Sequence, residues 1–207
     1  MSKLYIIGAG GHGQVVLDCA KDACFEVDGF LDDNDSIIGK SIQGIKVLGK
    51  VALAKEIDGF FVVAVGDNFK RKKVVEWLML DDSKFATVIH PRVIIGSNVE
   101  VLPGSMILGG VVMNTSTFIG KHTILNTSSS VDHHNKIGDF VHIAPGVHMG
   151  GNVIVGEGAF IGVGASIIPG INIGKWSIIG AGSVVINDVP DYATVVGNPG
   201  KIGRAHV

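Results

Sequence analysis

An aliphatic side chain recurs at every sixth position over a long central segment, without a break in register. Two positions earlier the chain usually carries a small or β-branched residue, and side chains two apart lie on the same face of a strand. Each hexad therefore predicts one short β-strand and one corner, and three hexads close a triangular coil of eighteen residues. The aliphatic positions are Ile95, Val101, Ile107, Met113, Ile119, Leu125, Val131, Ile137, Ile143, Met149, Val155, Ile161, Ile167, Ile173, Ile179 and Val185.

Three prolines indicate where the corners lie. Pro103, Pro145 and Pro169 each fall two residues after an aliphatic position and each is followed by glycine, a pattern typical of turns. Stacked coils pair through parallel hydrogen bonds, and five coils at the usual strand spacing predict a prism about 24 Å long.

Composition narrows the function classes. The chain has 207 residues, is 46% hydrophobic and carries a net charge of -2, so it lacks the basic field of a nucleic-acid-binding protein. It has no run of eighteen apolar residues and no signal-peptide pattern, which predicts a protein without a membrane span. Cys19 and Cys24 match no metal or redox spacing, so a reducing cytoplasm is the expected location.

The first residues resemble half of a dinucleotide-binding unit. A predicted strand at 3–7 runs into Gly8-Ala9-Gly10-Gly11-His12-Gly13, a helix is expected over 14–23, and a second strand over 26–31 ends in Asp32-Asp33. In such units the glycines let a phosphate approach a helix N-terminus and the acidic residue binds a ribose hydroxyl. The alternative is that these glycines only make a tight turn.

A third predicted strand, 60–65, ends in Gly66-Asp67-Asn68 and leads into a basic helix over 69–79. This turn is a second place where a phosphate could be held. For Lys72 and Lys73 a solvated helix face is the favoured interpretation. The first domain is expected to end near residue 85, which makes it too small for a complete dinucleotide fold.

Five of the eight histidines fall within the repeat between positions 122 and 148. His133 and His134 occupy corner positions that Pro-Gly takes in other hexads, where imidazole has no core role. His142 and His148 are expected to project outward from flat faces, and for His122 and His148 a plain polar surface is an alternative. No pair has ligand spacing on a shared face, so no metal site is expected.

The repeat also predicts how these histidines are placed. His133 and His142 are nine residues apart, half a coil, so they lie on opposite sides of one prism. If both act in one reaction, the site must form where two prisms meet, and a closed ring of three chains is the simplest arrangement. Gly151 stacks on the corner of His133 one coil along and would leave room for a slender ligand, and Val163 lies in the wall of a similar groove.

Three segments together resemble the PglD/NeuD family of sugar acyltransferases, which belongs to the hexapeptide-repeat superfamily. They are the hexads, the tail Val195-Val196-Gly197-Asn198-Pro199-Gly200-Lys201, and the leading glycine motif with Phe30-Leu31-Asp32-Asp33. The resemblance implies an α/β Rossmann-like half domain at 1–85 and an all-β left-handed parallel β-helix at 86–207. It also implies a homotrimer with active sites between subunits, acetyl-CoA as co-substrate, no metal, and an N-terminal domain that binds the nucleotide of a nucleotide-linked sugar.

The resemblance further implies roles for individual residues. His133 matches the catalytic base, His142 the histidine that contacts the acetyl thioester, and Asn126 a residue that orients the base or the substrate. The implied nucleotide-sugar residues are Gly10, Gly11, His12, Asp32, Asp33 and Gly66. The implied coenzyme-binding residues are His142, Gly151, Val163 and Lys201.

One position departs from the family pattern. The family often has an acidic residue directly after the catalytic histidine, whereas this chain has His134. A carboxylate there would raise the basicity of the imidazole, so another residue has to supply this support. Asp132 is the nearby candidate, and the predicted catalytic set is His133, Asp132, His134 and Asn126.

The predicted reaction is acetyl-CoA-dependent N-acetylation of the 4-amino group of a UDP-linked 4-amino-4,6-dideoxy sugar. A GDP-linked amino sugar is an alternative acceptor. O-acetylation of the sialic acid type is an alternative reaction, because the same fold and base would serve a hydroxyl. The third class is not enzymatic, a NAD-binding or structural solenoid.

Overall fold

The computed structural model describes residues 3–203, which form a small α/β domain followed by a β-helix. In the first domain the sheet has the strand order β3-β4-β2-β1-β5, parallel except for the β3-β4 hairpin. Its elements are β1 Leu4–Ile7, α1 Gly11–Asp22, β2 Val27–Leu31, β3 Ser41–Ile42, β4 Ile45–Gly49, β5 Phe60–Val63 and α2 Asn68–Leu78. No helix within 3–203 is long and apolar enough to cross a bilayer.

Seventeen two-residue strands and two C-terminal strands follow, and the main strands pair with those one coil away. Val112 pairs with Ser130 and Ser130 pairs with His148, which confirms the eighteen-residue coil. The strands are β6 Val88–Ile89, β7 Ile94–Ile95, β8 Glu100–Val101, β9 Met106–Ile107, β10 Val112–Met113, β11 Phe118–Ile119, β12 Ile124–Leu125, β13 Ser130–Val131, β14 Lys136–Ile137, β15 His142–Ile143, β16 His148–Met149, β17 Ile154–Val155, β18 Phe160–Ile161, β19 Ser166–Ile167, β20 Asn172–Ile173, β21 Ile178–Ile179, β22 Val184–Val185, β23 Thr194–Val196 and β24 Lys201–Ile202.

The strands form the three faces of the prism. Face 1 contains β6, β9, β12, β15, β18, β21 and β23, with β24 added antiparallel at its end. Face 2 contains β7, β10, β13, β16, β19 and β22, and face 3 contains β8, β11, β14, β17 and β20. We name each corner by the two faces that it joins, in chain order: the 1–2, 2–3 and 3–1 corners.

The prism interior is filled by the aliphatic positions of the repeat, as predicted. From the second coil onward they are almost completely buried, whereas Ile95 in the first coil is 48% exposed because no coil packs below it. Several polar residues at the smaller inward positions donate to corner carbonyls, although the buried hydroxyl of Ser129 has no partner among the described residues. Ser105, for example, donates its hydroxyl to the Gly120 carbonyl over 2.7 Å, so this polar interior position leaves no unpaired group.

The first domain packs on the outer side of face 1. Val16, Leu17, Cys19 and Ala20 of α1 join one apolar core with β-helix residues such as Ile124. The chain passes between the two parts after Phe85, which bridges to Phe61 of β5, and before β6. The outward side chains of face 1 are therefore covered over part of its length, which a prism considered alone does not predict.

Side chains in the first turn of α2 donate hydrogen bonds to a column of backbone carbonyls on the 3–1 corner. Arg71 is fully buried and donates Nε to the carbonyl of His122 and Nη2 to that of Phe140, each over 2.8 Å. Asn68 donates Nδ2 to the next carbonyl in the column, that of Gly158, over 3.1 Å. The basic helix, for which sequence analysis favoured a solvated face, thus joins the two domains through Arg71.

Of the two neighbouring lysines, Lys72 also contributes to the contact between the two domains. Lys72 pairs with Glu157 of the β-helix, so the interpretation of a merely solvated lysine is wrong for it. Lys73 lies over the ring of Phe69, with its Nζ 4.4 Å from the ring centroid. The turn itself ends in an N-cap, because the side chain of Asp67 accepts the N–H of Lys70 over 2.8 Å.

His122 is buried, so its interpretation as surface polarity is wrong. Its ring stacks on Phe140 at 5.2 Å and meets the edge of Phe85 at 4.7 Å between centroids. Gly104, one coil below, leaves the space that the imidazole fills, since a Cβ there would lie 2.2 Å from Nδ1. His148, in contrast, is exposed on face 2 and contacts the hydroxyl of Ser130.

Candidate active site

His133 lies exposed on the 2–3 corner, directly against Gly151 of the next coil. A Cβ at position 151 would lie 2.4 Å from Cε1 of the imidazole and 2.6 Å from Nε2. The glycine therefore provides space for the histidine ring itself. This corrects the expectation that Gly151 leaves room for a ligand at that point.

Asn135 supports this corner from inside the prism and was not identified from the sequence. It is fully buried at a small inward position, where its Nδ2 donates to the carbonyl of Gly150 over 3.0 Å and its Oδ1 accepts the N–H of Val153. These bonds hold the Gly150 to Val153 turn on which the ring of His133 rests. The sequence did carry a signal for it, because Asn135 places a side-chain amide at an inward position that elsewhere in the repeat holds a small or β-branched residue.

Asp132 and His134 flank His133 but differ in what they contact. One carboxylate oxygen of Asp132 accepts the backbone N–H of His133 and the side chain of Asn114, each over 2.8 Å. These hydrogen bonds lower the pKa of Asp132. His134 instead faces the ring of His133, with 3.0 Å between their Nδ1 atoms. The expectation that Asp132 supports the imidazole is therefore replaced by a contact with His134.

His142 lies on face 1, opposite the 2–3 corner, so one prism keeps it apart from His133 as predicted. It does project outward from the face, but the first domain covers it and leaves it 9% exposed. Its Nδ1 lies 3.1 Å from the carbonyl of Gly66, and its Nε2 lies 3.2 Å from Nδ2 of Asn126.

These contacts determine the tautomer of His142. A carbonyl oxygen only accepts, so Nδ1 carries the proton and donates to Gly66, while Nε2 accepts from the amide of Asn126. Oδ1 of Asn126 is already used, because it accepts the N–H of Thr127 over 2.8 Å. Asn126 therefore orients His142 within the subunit, whereas sequence analysis placed it beside the base or the substrate.

His12 lies next to His142, with 6.2 Å between ring centroids. Its Nε2 is buried without a hydrogen-bond partner among the described residues. Burial lowers the pKa of His12 from 6.5 to about 4, so the ring is neutral near pH 7. An unpaired buried nitrogen beside the site is a group that a polar ligand atom could satisfy.

The glycine loop contains one glycine that packing requires and two beside open space. A Cβ at Gly13 would lie 2.0 Å from the carbonyl of Gly8, so Gly13 lets α1 pack against the first strand. Gly10 and Gly11 have open space where a Cβ would be. Gly10 precedes α1 without a side-chain cap, so the positive end of the helix faces this space.

The two acidic residues at the end of β2 hold backbone groups. Oδ2 of Asp32 accepts the N–H of Ala9 in the glycine loop over 2.8 Å. Oδ1 of Asp33 accepts the N–H of Val51 over 3.0 Å, and the residue lines a cavity of 480 Å³ with Lys73 and Trp77 among its walls. Their predicted contact with a ribose stays a prediction.

The remaining predicted coenzyme residues lie away from the 2–3 corner. Val163 is 54% exposed on the 1–2 corner. Lys201 lies in β24 at the C-terminal end, paired with Val196. Among residues 3–203, these residues, His133 and His142 lie on different sides of the prism, so a second prism would be needed to bring them together. Within residues 3–203 there is no cluster of three potential metal ligands.

We expect acid to destabilise the fold through three buried histidines. Burial lowers the pKa of His12, His122 and His142 from 6.5 to about 4 each. Between these values the unfolded chain binds protons that the folded chain does not, so the free energy of unfolding falls as pH drops from 6.5 to 4. The slope should reach about 4 kcal/mol per pH unit for three groups, measured by denaturant unfolding across this range.

The matched variant for this prediction is His122→Phe. Phe140 occupies the equivalent corner position one coil along with a similar backbone, φ 57° against 52°, so the substitution suits the site. It should reduce the slope by about a third. A slope that stays at the wild-type value would contradict the assignment of His122 to the acid response.

Known proteins match both parts of the chain. The PglD N-terminal domain family matches residues 3–78. GDP-perosamine N-acetyltransferase of Escherichia coli O157:H7 is 32% identical, with 95% of this chain and 94% of that protein aligned. The crystal structure of PerB from Caulobacter crescentus in complex with CoA and GDP-perosamine superposes with a TM-score of 0.90 at 33% identity, covering 99% of this chain and 98% of that one.

A further structure is the acetyltransferase domain of PglB from Neisseria gonorrhoeae in complex with acetyl coenzyme A. It has a TM-score of 0.90 and 34% identity over 97% of this chain and 98% of that one. The fold and these similarities define a hexapeptide-repeat acyltransferase. The chain belongs to the PglD/NeuD family of sugar N-acetyltransferases. Its β-helix is accordingly left-handed, and the interpretation as a non-enzymatic solenoid is wrong.

Proposed function

We propose that the protein transfers the acetyl group of acetyl-CoA to the amino group of a GDP-linked 4-amino sugar. The observation that carries this proposal is the end-to-end similarity to the GDP-perosamine N-acetyltransferase of Escherichia coli and to PerB, whose complex contains CoA and GDP-perosamine. These relatives favour GDP over the UDP that sequence analysis expected.

We infer that the active site forms between subunits of a homotrimer. His133 lies on the 2–3 corner and His142 on the opposite face of the same prism. A closed ring would bring the 2–3 corner of one chain against face 1 of the next and repeat the same contact three times. The exposed His133 would then face the open space at Gly10 and Gly11, beside His12 and His142 of its neighbour.

The proposed reaction is a direct transfer. The sugar amine attacks the thioester carbonyl, a C–N bond forms and the C–S bond breaks. The Nε2 of His133 takes the proton that the amine nitrogen loses, and this proton ends on the departing thiolate, so the products are the acetamido sugar and the CoA thiol. Backbone N–H groups lining the groove would stabilise the negative charge that develops on the carbonyl oxygen.

His142 has a positioning role in this proposal. It is neutral, because burial lowers its pKa to about 4, and both of its ring nitrogens are used by Gly66 and Asn126. Its ring thereby forms a rigid wall of the site, and both of its nitrogen atoms already have hydrogen-bond partners. Gly66 connects this wall to the first domain, so the sugar-binding and acetyl-binding parts of the site share one hydrogen-bonded element.

The test is CoA thiol release with a panel of acceptors: GDP-perosamine, a UDP-linked 4-amino sugar, and sialic acid as a hydroxyl acceptor. We expect turnover with the GDP-linked sugar and at least about 10-fold lower kcat/KM with the UDP-linked one. A site that hydrogen-bonds one nucleobase leaves its polar groups unpaired when the other nucleobase binds. Preference for the UDP sugar would contradict the GDP assignment, and turnover only with the hydroxyl acceptor would contradict N-acetylation.

A further inference from the structure

The histidine pair on the 2–3 corner replaces the histidine and carboxylate arrangement expected from the family. The Nδ1 atoms of His133 and His134 are 3.0 Å apart and the rings are nearly perpendicular, at 81°. Two imidazole nitrogens at this distance form a hydrogen bond only if one carries a proton and the other does not. The protonation states of the two rings are thus coupled.

The direction of this hydrogen bond decides whether His133 can act as a base. If His133 donates from Nδ1, its Nε2 holds a free lone pair. If His134 donates, the Nε2 of neutral His133 carries the proton and cannot accept another. A His133 that has taken up a proton has N–H on both nitrogens, so it can only donate, and the bond to a neutral His134 then becomes charge-assisted.

Among the groups around the imidazole of His133, His134 is the one placed to accept a hydrogen bond from its Nδ1. The carboxylate of Asp132 is bound to the backbone N–H of His133 and to Asn114, so it acts on the imidazole only through space. On the opposite side the ring rests on Gly151, which brings no charge. Among residues 3–203, the titratable groups that face His133 are therefore His134 and Asp132.

We propose that His134 is a positioning residue that supports the base in place of the family's carboxylate. Its Nδ1 accepts the Nδ1–H of His133, which holds Nε2 of His133 free to take the amine proton and stabilises the resulting imidazolium. A second proton on the pair removes the acceptor, so the doubly protonated pair is inactive. The proposal rests on the proposed function, because the proton that it accounts for is that of the sugar amine.

Two substitutions of His134 and one control test this proposal. His134→Phe keeps a ring but removes the acceptor, and should lower kcat by ~10- to 100-fold with KM unchanged for both substrates. His134→Glu supplies a carboxylate and should retain activity, with the acid limb of the kcat–pH profile moved to higher pH because a carboxylate stabilises the imidazolium more than a neutral ring does. The control, His148→Ala, replaces an exposed histidine on face 2 that contacts the hydroxyl of Ser130, and it should stay within about twofold of wild type.

A second readout does not need activity. In the full-length protein with ¹⁵N-labelled histidine, the ring shifts of His133 should report the Nδ1–H tautomer, and His134→Phe should convert it to a mixture. His134→Phe with wild-type kcat, or wild-type protein with His133 in the Nε2–H tautomer, would overturn the proposal. If the wild type acetylates no acceptor on the panel, the proposed function fails. The tautomer of His133 still shows whether His134 accepts its Nδ1–H.

Discussion

Replacing His133 with alanine is expected to lower kcat by about 10²- to 10⁴-fold, the usual contribution of a general base. The free energy of unfolding should change by less than about 0.5 kcal/mol, because the residue is exposed. Steady-state thiol release and denaturant unfolding on the same preparation measure the two effects. KM for acetyl-CoA should stay near its wild-type value, because the residue acts on the proton of the acceptor.

His148 provides the matched control for this substitution. It is also an exposed histidine, one coil along on face 2, with its Nδ1 bonded to the hydroxyl of Ser130 over 2.8 Å. His148→Ala should leave kcat unchanged. If His133→Ala kept the wild-type rate, or if both variants lost activity equally, His133 would not be the base.

Mixing two inactive variants is expected to restore activity. His133→Ala removes the base on the 2–3 corner. His142→Phe keeps a ring beside Phe160, which already contacts His142 at 5.3 Å between centroids, but it leaves the Gly66 carbonyl and the Asn126 amide without their partners and should inactivate the site by displacing the wall that His142 forms. In a randomly mixed trimer a site is intact only when its corner comes from a His142→Phe chain, which keeps His133, and its face comes from a His133→Ala chain, which keeps His142. About a quarter of the sites should then be active, a large rise over either variant alone.

This experiment needs subunits that assemble together, so the two variants carry different tags and are co-expressed. The control pairs His133→Ala with the double variant His133→Ala/His142→Phe, and no activity should return because every site lacks the base. Analytical ultracentrifugation of the wild type should give the mass of three chains. Mixed assemblies without activity, or an active monomer, would contradict a site shared between subunits.

Sequence periodicity was sufficient to predict the β-helix because each of its coils repeats one local rule. An aliphatic side chain must point inward every sixth residue, so register, coil length and the separation of His133 from His142 all follow from counting. The glycine motif was similarly readable, because a tight strand-to-helix turn requires it locally, and the α/β domain agrees with that interpretation. The hydrogen bond that Asp32 accepts from Ala9 was not predicted.

Contacts between the two domains could not be predicted in this way, since they join residues far apart in sequence that follow no common period. Arg71 appeared to belong to a basic surface helix and is instead buried among carbonyls of the 3–1 corner. Asn126 seemed placed to serve the base, yet it orients His142 because the first domain holds Gly66 above that face.

The sequence alone thus determined the architecture and which histidines to consider, because hydrophobic burial in a repeat depends only on the spacing of side chains along the chain. Only the tertiary structure decided the partners of those histidines. Ring orientation and tautomer depend on hydrogen bonds to groups that folding brings near, such as Gly66 for His142 and the facing Nδ1 of His134 for His133. Hydrogen bonds depend on distance and direction and can be assigned only from coordinates, whereas burial can be predicted from the pattern of side chains along the chain.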